Sequence, residues 1–479
     1  MDTTTLRNSL NPIKRLKEEF VSNLTGSSMI EIAALSTIIP ILVLLRHSFN
    51  SSNVIGMSLR AVLDHTAANA SLKKSDGLVI RSKSLKRYLA AIAVDFLIIV
   101  IPTLLFFTVL ADWSCLCAIL LVLLLLLLIA AKGMLNHSPT RESGNQSLRA
   151  NISSFRVVVM ITTCLCILAV DFRIFPRRYA KTETYGTSLM DLGVGSFVLA
   201  NSLVSRQARN VSSTNRKGAL KSVFPLLILG FIRLITTSGV DYQVHVGEYG
   251  VHWNFFFTLS AVSILSTVIN IPPQYSGIFG STILVGYQYW LIYGLNTYLL
   301  SNQRGSDIIS QNKEGLFSIF GYWSIYLIGV QLGNSLFFGK NSSATLGSKR
   351  RARIIVWILA LFFWMTTLLL DSYVERVSRR MCNLAYVTLV LAQNLQVLAI
   401  LMLSGYVAGN ETSVLEEALN SNLLAAFLLA NLLTGLVNLS VDTLSTSSIT
   451  ALLILLVYAF ILSIAMGLAN FNGIRLKFW

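Results

Sequence analysis

Long, unbroken apolar runs alternate with short polar segments along the whole chain. Thirteen runs come near the length that crosses a bilayer as helix, at 27–46, 88–110, 113–131, 156–174, 187–205, 220–238, 253–271, 277–299, 316–337, 353–370, 381–403, 421–439 and 448–470. They are continuous instead of alternating with period two. That predicts helices, each satisfying its own backbone, in place of a barrel. The expectation is an all-α polytopic membrane protein of about 13 transmembrane helices in one bundle, with residues 1–479 as a single membrane domain. No internal repeat and no linker divides it. The segment 47–86 predicts a long, Ser-rich cytosolic loop, basic near its end at Lys73, Lys74, Arg81, Lys83 and Lys86. The Leu-rich run 120–128 predicts a lipid-facing surface.

Composition agrees: 54% hydrophobic and 13% charged residues exclude a soluble globular chain. The first run starts too late and continues too far for a cleaved signal peptide, so it is expected to stay as the first helix. The net charge of +16 matters through its placement. With the N-terminus lumenal and the C-terminus cytosolic, most Lys and Arg fall in cytosolic loops, as the positive-inside rule asks. The basic excess then needs no nucleic-acid partner. Arg475 and Lys477 stand where a basic endoplasmic-reticulum retrieval signal would have them, and where positive-inside anchoring would also put them. The five cysteines all lie in or beside runs, without disulfide or zinc spacing, and read as small packing residues.

Candidate chemistry gathers in two tracts. The first, 171–198, sets Arg173, Arg177, Arg178 and Lys181 among Asp171, Glu183 and Asp191. Charges kept at or inside a membrane are costly and usually serve a purpose. Pro176 breaks the helix between Asp171 and Lys181, so a turn there can bring them together. Spacing alone leaves open an acid–base pair or a salt bridge pinning a hairpin. Arg177 and Arg178 suit a phosphate group or an interfacial anchor. Asp191, followed by Gly193 and Gly195, is expected to face the bundle interior, with the glycines permitting close helix contact.

The second tract follows Arg233 and crowds Asp241, His245, Glu248 and His252 ahead of Trp253 and Asn254. It suits contacts to a sugar or inositol headgroup, or interfacial anchoring. His245 and His252 lack a third ligand at metal spacing, so no metal is expected. Glu31 in the first run, Asp95 in the second and Arg233 in the sixth are further buried-charge candidates, with an Asp95–Arg233 partnership conceivable. The sequence has no G-x-S-x-G elbow, no H-E-x-x-H helix and no Walker A loop, which lowers hydrolase, metalloprotease and ATP-driven transport readings.

Three blocks, KEEFVSNLTGSS (17–28), FPRRYAKTETYGTSLMDLGVGSFV (175–198) and HVGEYGVHWNFFFTL (245–259), make the chain resemble the glucosaminyl-phosphatidylinositol inositol acyltransferases, the PIG-W family of GPI-anchor biosynthesis. The resemblance implies an endoplasmic-reticulum enzyme that moves a long acyl chain, typically palmitoyl, from acyl-CoA as co-substrate to the inositol of glucosaminyl-phosphatidylinositol, with no permanently bound cofactor. It implies Asp171 and Lys181 as the catalytic pair. Arg173, Arg177, Arg178, Glu183, Asp191, Asp241, His245, Glu248, His252, Trp253 and Asn254 are the candidate substrate contacts. Two rivals from other classes are a secondary transporter, which inverted repeats would favour, and a non-catalytic assembly subunit. A different, histidine-dependent membrane O-acyltransferase would centre on His245 or His252.

Overall fold

Each apolar run folds into helix in the computed structural model, which describes residues 16, 19–52, 74–135, 144–211, 223–238, 246–338, 346–407 and 412–475. Among the described residues the principal helices are α1 Met29–Ser52, α2 Lys74–Asp95, α3 Ser114–Leu135, α4 Gly144–Ala169, α5 Leu192–Leu203, α6 Phe224–Ser238, α7 Phe255–Ile269, α8 Pro273–Trp290, α9 Lys313–Gly333, α10 Leu346–Tyr373, α11 Leu384–Leu401, α12 Leu423–Ser440 and α13 Ser448–Phe471, with shorter helical turns between them. Among the described residues there is no β-strand, only isolated bridges from Gly26 and Ser27 to Thr187. The all-α polytopic expectation therefore holds.

Nine helices of the described residues are long and apolar enough to cross a membrane, so the expected thirteen crossings are not reached on that criterion. The helices α5, α6 and α7 are shorter, and α8 continues through a π turn with Gly294 at φ 114°. The predicted loop 47–86 is helical at both ends, because α1 runs on to Ser52 and α2 starts at Lys74. Residues 53–73 lie outside the described set.

Local signals set many of the ends. Asn254, Asn383 and Ser447 cap α7, α11 and α13 by accepting backbone N–H groups. Asn270 closes α7 in the left-handed region at φ 42°. In α2, Pro102 lacks an N–H, and the chain passes it through a π turn, Phe96–Val100, before Ile101–Phe106.

The central element is α11, whose apolar window is 89% buried, whereas those of α3 and α10 are 17% buried. In lipid an apolar surface is no reason for burial, and α11 instead carries Asn394 and Gln396, which donate to Ser196 Oγ of α5 and Thr37 Oγ1 of α1. The exposed Leu120, Leu123, Leu124, Leu126 and Leu127 give α3 the lipid-facing surface its sequence predicts. Gly195 of α5 sits where a Cβ would meet Val390 of α11 at 2.7 Å, so that close contact needs glycine. Gly193 has open space beside it and does not share this role.

The odd-numbered helices begin at one end of the bundle, where the loops 107–113, 170–191, 301–312, 374–383 and 441–447 gather with the start of α1 and the described part of the α6–α7 connection. These loops are stitched to each other. Gly186 N–H donates to Val377 O at 2.9 Å, Ser378 Oγ to Thr184 O at 2.6 Å, and Ser27 N–H to Thr187 O at 2.7 Å. Both charged tracts from the sequence reach this end.

Candidate functional site

The first tract leaves α4 at Ala169 with carbonyls that have no helical partner. Arg177 supplies donors: Nη2 reaches Val170 O at 2.9 Å, Phe172 O at 3.1 Å and Phe175 O at 2.9 Å. Its guanidinium lies 3.9 Å above the Phe20 ring. Burial pulls Arg177 down to about 10, against the opposing charge of Asp171. Arg177 thus shapes the loop that holds Asp171.

Asp171 is half-buried, and its Oδ2 accepts from Asn438 Nδ2 of α12 at 2.7 Å. Arg178 spans Glu31 at 2.9 Å and Asp112 at 2.5 Å. Despite the cost of partial burial, those two carboxylates raise its affinity for the proton. Tyr179 Oη also donates to Glu31, at 2.6 Å, and the Ser27 hydroxyl donates to the same carboxylate. Ser28 Oγ accepts the Glu31 N–H at 3.2 Å, at the start of α1.

Arg173 and Glu183 are exposed, and Glu183 accepts the Asn23 N–H at 2.8 Å. The partnership weighed between Asp95 and Arg233 is replaced: Asp95 pairs with Arg46 at 2.6 Å, at the far end of α1.

The two tracts meet directly, and a residue that neither contains braces the junction. Lys181 Nζ donates to Glu248 Oε1 at 2.7 Å. Arg379, from the turn between α10 and α11, places Nη1 3.2 Å from that oxygen and Nε 2.8 Å from Asp191 Oδ1. Asp191, buried as expected, also accepts the Thr182 N–H at 3.1 Å and the Thr182 hydroxyl at 2.8 Å. The result is a continuous row, Asp191–Arg379–Glu248–Lys181.

Burial opposes ionisation of Glu248, but Lys181 and Arg379 outweigh it and hold the carboxyl at about 2. Burial likewise opposes the Arg379 charge, and Glu248 and Asp191 more than restore it. Lys181 keeps 40% of its side chain exposed, so the row runs from a sealed acid to an open ammonium. The ammonium predicted for Asp171 therefore rests on Glu248.

The remaining candidates separate. Asn254 is buried; its Oδ1 caps α7, and its Nδ2 donates to Gly230 O of α6 at 2.9 Å. Trp253 Nε1 donates to Thr258 Oγ1 at 3.0 Å, and its ring fills the space beside Gly315. His252 is exposed, while its backbone N–H donates to Asn312 Oδ1 at 2.8 Å. Asp241 and His245 lie outside the described residues.

Sequence reasoning missed Arg379, Arg380, Glu314 and Glu375. Arg380 and Arg304 share Glu314, at 2.9 and 2.7 Å. Glu375 accepts from Gln288, Asn383 and Tyr185. The signal available was the pair Arg379–Arg380 just before a strongly apolar run, which had been counted only as loop charge.

A narrow crevice lies between α1, α4, α5 and α11, lined chiefly by apolar side chains such as Leu35, Val159, Leu192 and Val397. Neither Asp171 nor Lys181 lines it.

Relatives are similar to this chain in sequence along most of their length. An uncharacterized protein of Arabidopsis thaliana is 56% identical over 439 residues, 92% of this chain and 98% of that protein. The phosphatidylinositol-glycan biosynthesis class W protein of Dictyostelium discoideum is 38% identical over 70% of this chain and 76% of its own. The GPI-anchored wall transfer protein 1 of Gibberella zeae is 35% identical over 96% and 98%. The sequence model of the GWT1 family matches residues 13–469, spanning all the helices of the bundle and both charged tracts, and the chain belongs to that family.

Proposed function

We propose that this protein is a membrane O-acyltransferase of GPI-anchor biosynthesis. It moves a long-chain acyl group, palmitoyl in the first instance, from acyl-CoA to the inositol of glucosaminyl-phosphatidylinositol in the endoplasmic-reticulum membrane. The names of the relatives in Dictyostelium and Gibberella support the pathway. The observation that carries the reading is the loop 170–191, which carries both a half-buried carboxylate, Asp171, and a half-open ammonium, Lys181.

In this mechanism Asp171 accepts the proton of an inositol hydroxyl as that oxygen attacks the thioester carbonyl. Asn438, donating to Oδ2, orients the carboxylate. Lys181 faces the negative charge that develops on the carbonyl oxygen. The tetrahedral centre collapses, the C–S bond breaks, and the CoA thiolate leaves with a proton returned to it. Direct attack calls for no acyl-enzyme, and Cys164, Cys166 and Cys382 are buried away from solvent. The N-terminus is lumenal and the C-terminus cytosolic in this reading, which puts the loop end of the bundle toward the lumen.

The test is direct. Purified protein in detergent is given palmitoyl-CoA and glucosaminyl-phosphatidylinositol, and acylated lipid is read by mass spectrometry. Wild type is expected to form product, with Asp171→Asn and Lys181→Ala inactive. Product from all three removes the catalytic assignment, and a folded but inactive wild type removes the reaction.

A further inference from the structure

The row ending at Lys181 has two halves with different physical character. Asp191 is 1% exposed and filled by Thr182 and Arg379, and Tyr386 Oη reaches its carbonyl at 2.7 Å. That half is a sealed anchor. At the other end Glu248 uses a single oxygen, Oε1, for both Arg379 and Lys181. An ammonium 40% exposed gains little stability from such a pair. The contact therefore does more for the placement of Lys181 than for the fold.

Placement needs a device, because a lysine is a point charge on a flexible four-carbon stem. Glu248 sits on a four-residue helix, Val246–Tyr249. Arg379 is held by its surroundings. It is 5% exposed, and its carbonyl accepts the Cys382 N–H at 3.1 Å. Its neighbours Val377 and Ser378 are bonded to Gly186 and Thr184 of the loop that carries Lys181. Arg379 thus ties the Lys181 loop and the Glu248 helix to one point.

We propose that Arg379 is a positioning residue for acyl transfer: acting through Glu248, it fixes where the Lys181 ammonium stands. This rests on the acyltransferase reading above. Three connections far apart in the chain are joined at this guanidinium, and loss of any link lets the ammonium wander. A misplacement of about 1 Å at a catalytic group can cost on the order of 10²-fold in rate.

The experiment compares wild type, Arg379→Met, Arg379→Lys and Glu248→Gln, each checked for folding by thermal unfolding in detergent. One readout is kcat and KM for palmitoyl-CoA. The other, independent of turnover, is the labelling yield of Lys181 with an amine-reactive reagent, read by mass spectrometry against the other lysines. Glu248→Gln and Arg379→Met are expected to lower kcat by about 10²-fold while KM stays within about threefold. Arg379→Lys retains the charge and is expected to recover about tenfold of the loss, short of wild type because one amine cannot reach both carboxylates as the guanidinium fork does. Lys181 labelling is expected to rise by at least about threefold in both Arg379→Met and Glu248→Gln as the stem is released.

Unchanged labelling, or kcat within about twofold of wild type in folded Glu248→Gln, overturns the proposal. A folded but inactive wild type overturns the acyl-transfer reading, while the labelling still decides whether Arg379 places Lys181. If Arg379→Met does not fold, Glu248→Gln, which weakens the links to Lys181 and Arg379 and leaves the Arg379–Asp191 pair in place, carries the decision.

Discussion

Two ionic networks stand at opposite ends of the bundle. At the far end Arg46 pairs with Asp95 at 2.6 Å, and Glu416 takes His47 at 2.5 Å and Ser154 at 2.7 Å. Asp95 also accepts the Leu415 N–H at 2.9 Å, and Glu416 closes a capping box with Ser413. Asp95 is 0% exposed and Glu416 2%. At the loop end, the row from Asp191 to Lys181 begins just as sealed and finishes half-open. The far network fastens the short helix Val414–Ser421 to α1, α2 and α4. The near one spends its open end on something other than the fold. Burial of the last member separates a scaffold from a site.

The comparison is broken most forcefully at the far end. Asp95→Ala or Glu416→Ala strands a buried cation, or removes a shared carboxylate, and should cost about 3–5 kcal/mol. Thermal unfolding in detergent measures this, with specific activity per folded molecule expected to hold. A large activity loss without destabilisation would make the far network a site as well.

Next comes Lys181→Ala, expected to abolish measurable turnover, a loss of about 10³-fold or more in kcat, but to cost less than about 1 kcal/mol in stability, since the ammonium is partly solvated. An unfolded variant would erase the distinction between the two ends.

Smaller still is the acid response of the row. Glu248 is depressed from 4.5 to about 2, with Lys181, Arg379 and Arg233 as the cations facing it. A depressed carboxyl adds stability that is fully present above its unfolded value and lost as pH falls through the folded one. The wild-type minus Glu248→Gln difference in unfolding should therefore shrink between about pH 4.5 and pH 2 and stay flat above. A difference that changes between pH 6 and 8 would mean another group holds Lys181.

The smallest effect is expected at the surface. Arg173→Ala and Glu183→Gln should each change stability by no more than about 0.5 kcal/mol. Glycolipid KM for each decides whether these exposed residues touch substrate.

Much of the fold was legible because its causes are local. A run of apolar residues near 20 long declares a helix. Helix ends were less legible: α1 and α2 extend into the segment read as a loop, since helix continues beyond the apolar face that betrays it. The site was legible by composition, because Asp171, Lys181, Asp191 and Glu248 all stand in charged tracts beside apolar runs. Their roles were not. Arg177 reads as a phosphate ligand but spends its donors on the carbonyls of Val170, Phe172 and Phe175. Asn254 reads as a headgroup contact but caps α7.

The sequence by itself determined a bundle of apolar helices and the family to which it belongs, since hydropathy and motif are carried residue by residue. Only the tertiary structure decided who pairs with whom. Lys181 meets Glu248 from 67 residues away, and Arg379 reaches Glu248 across 131 and Asp191 across 188. No local pattern encodes those distances. They follow from how the helices pack, which brings loops from both halves of the chain to one end of the bundle, where unpaired buried charge is too costly to leave unmatched.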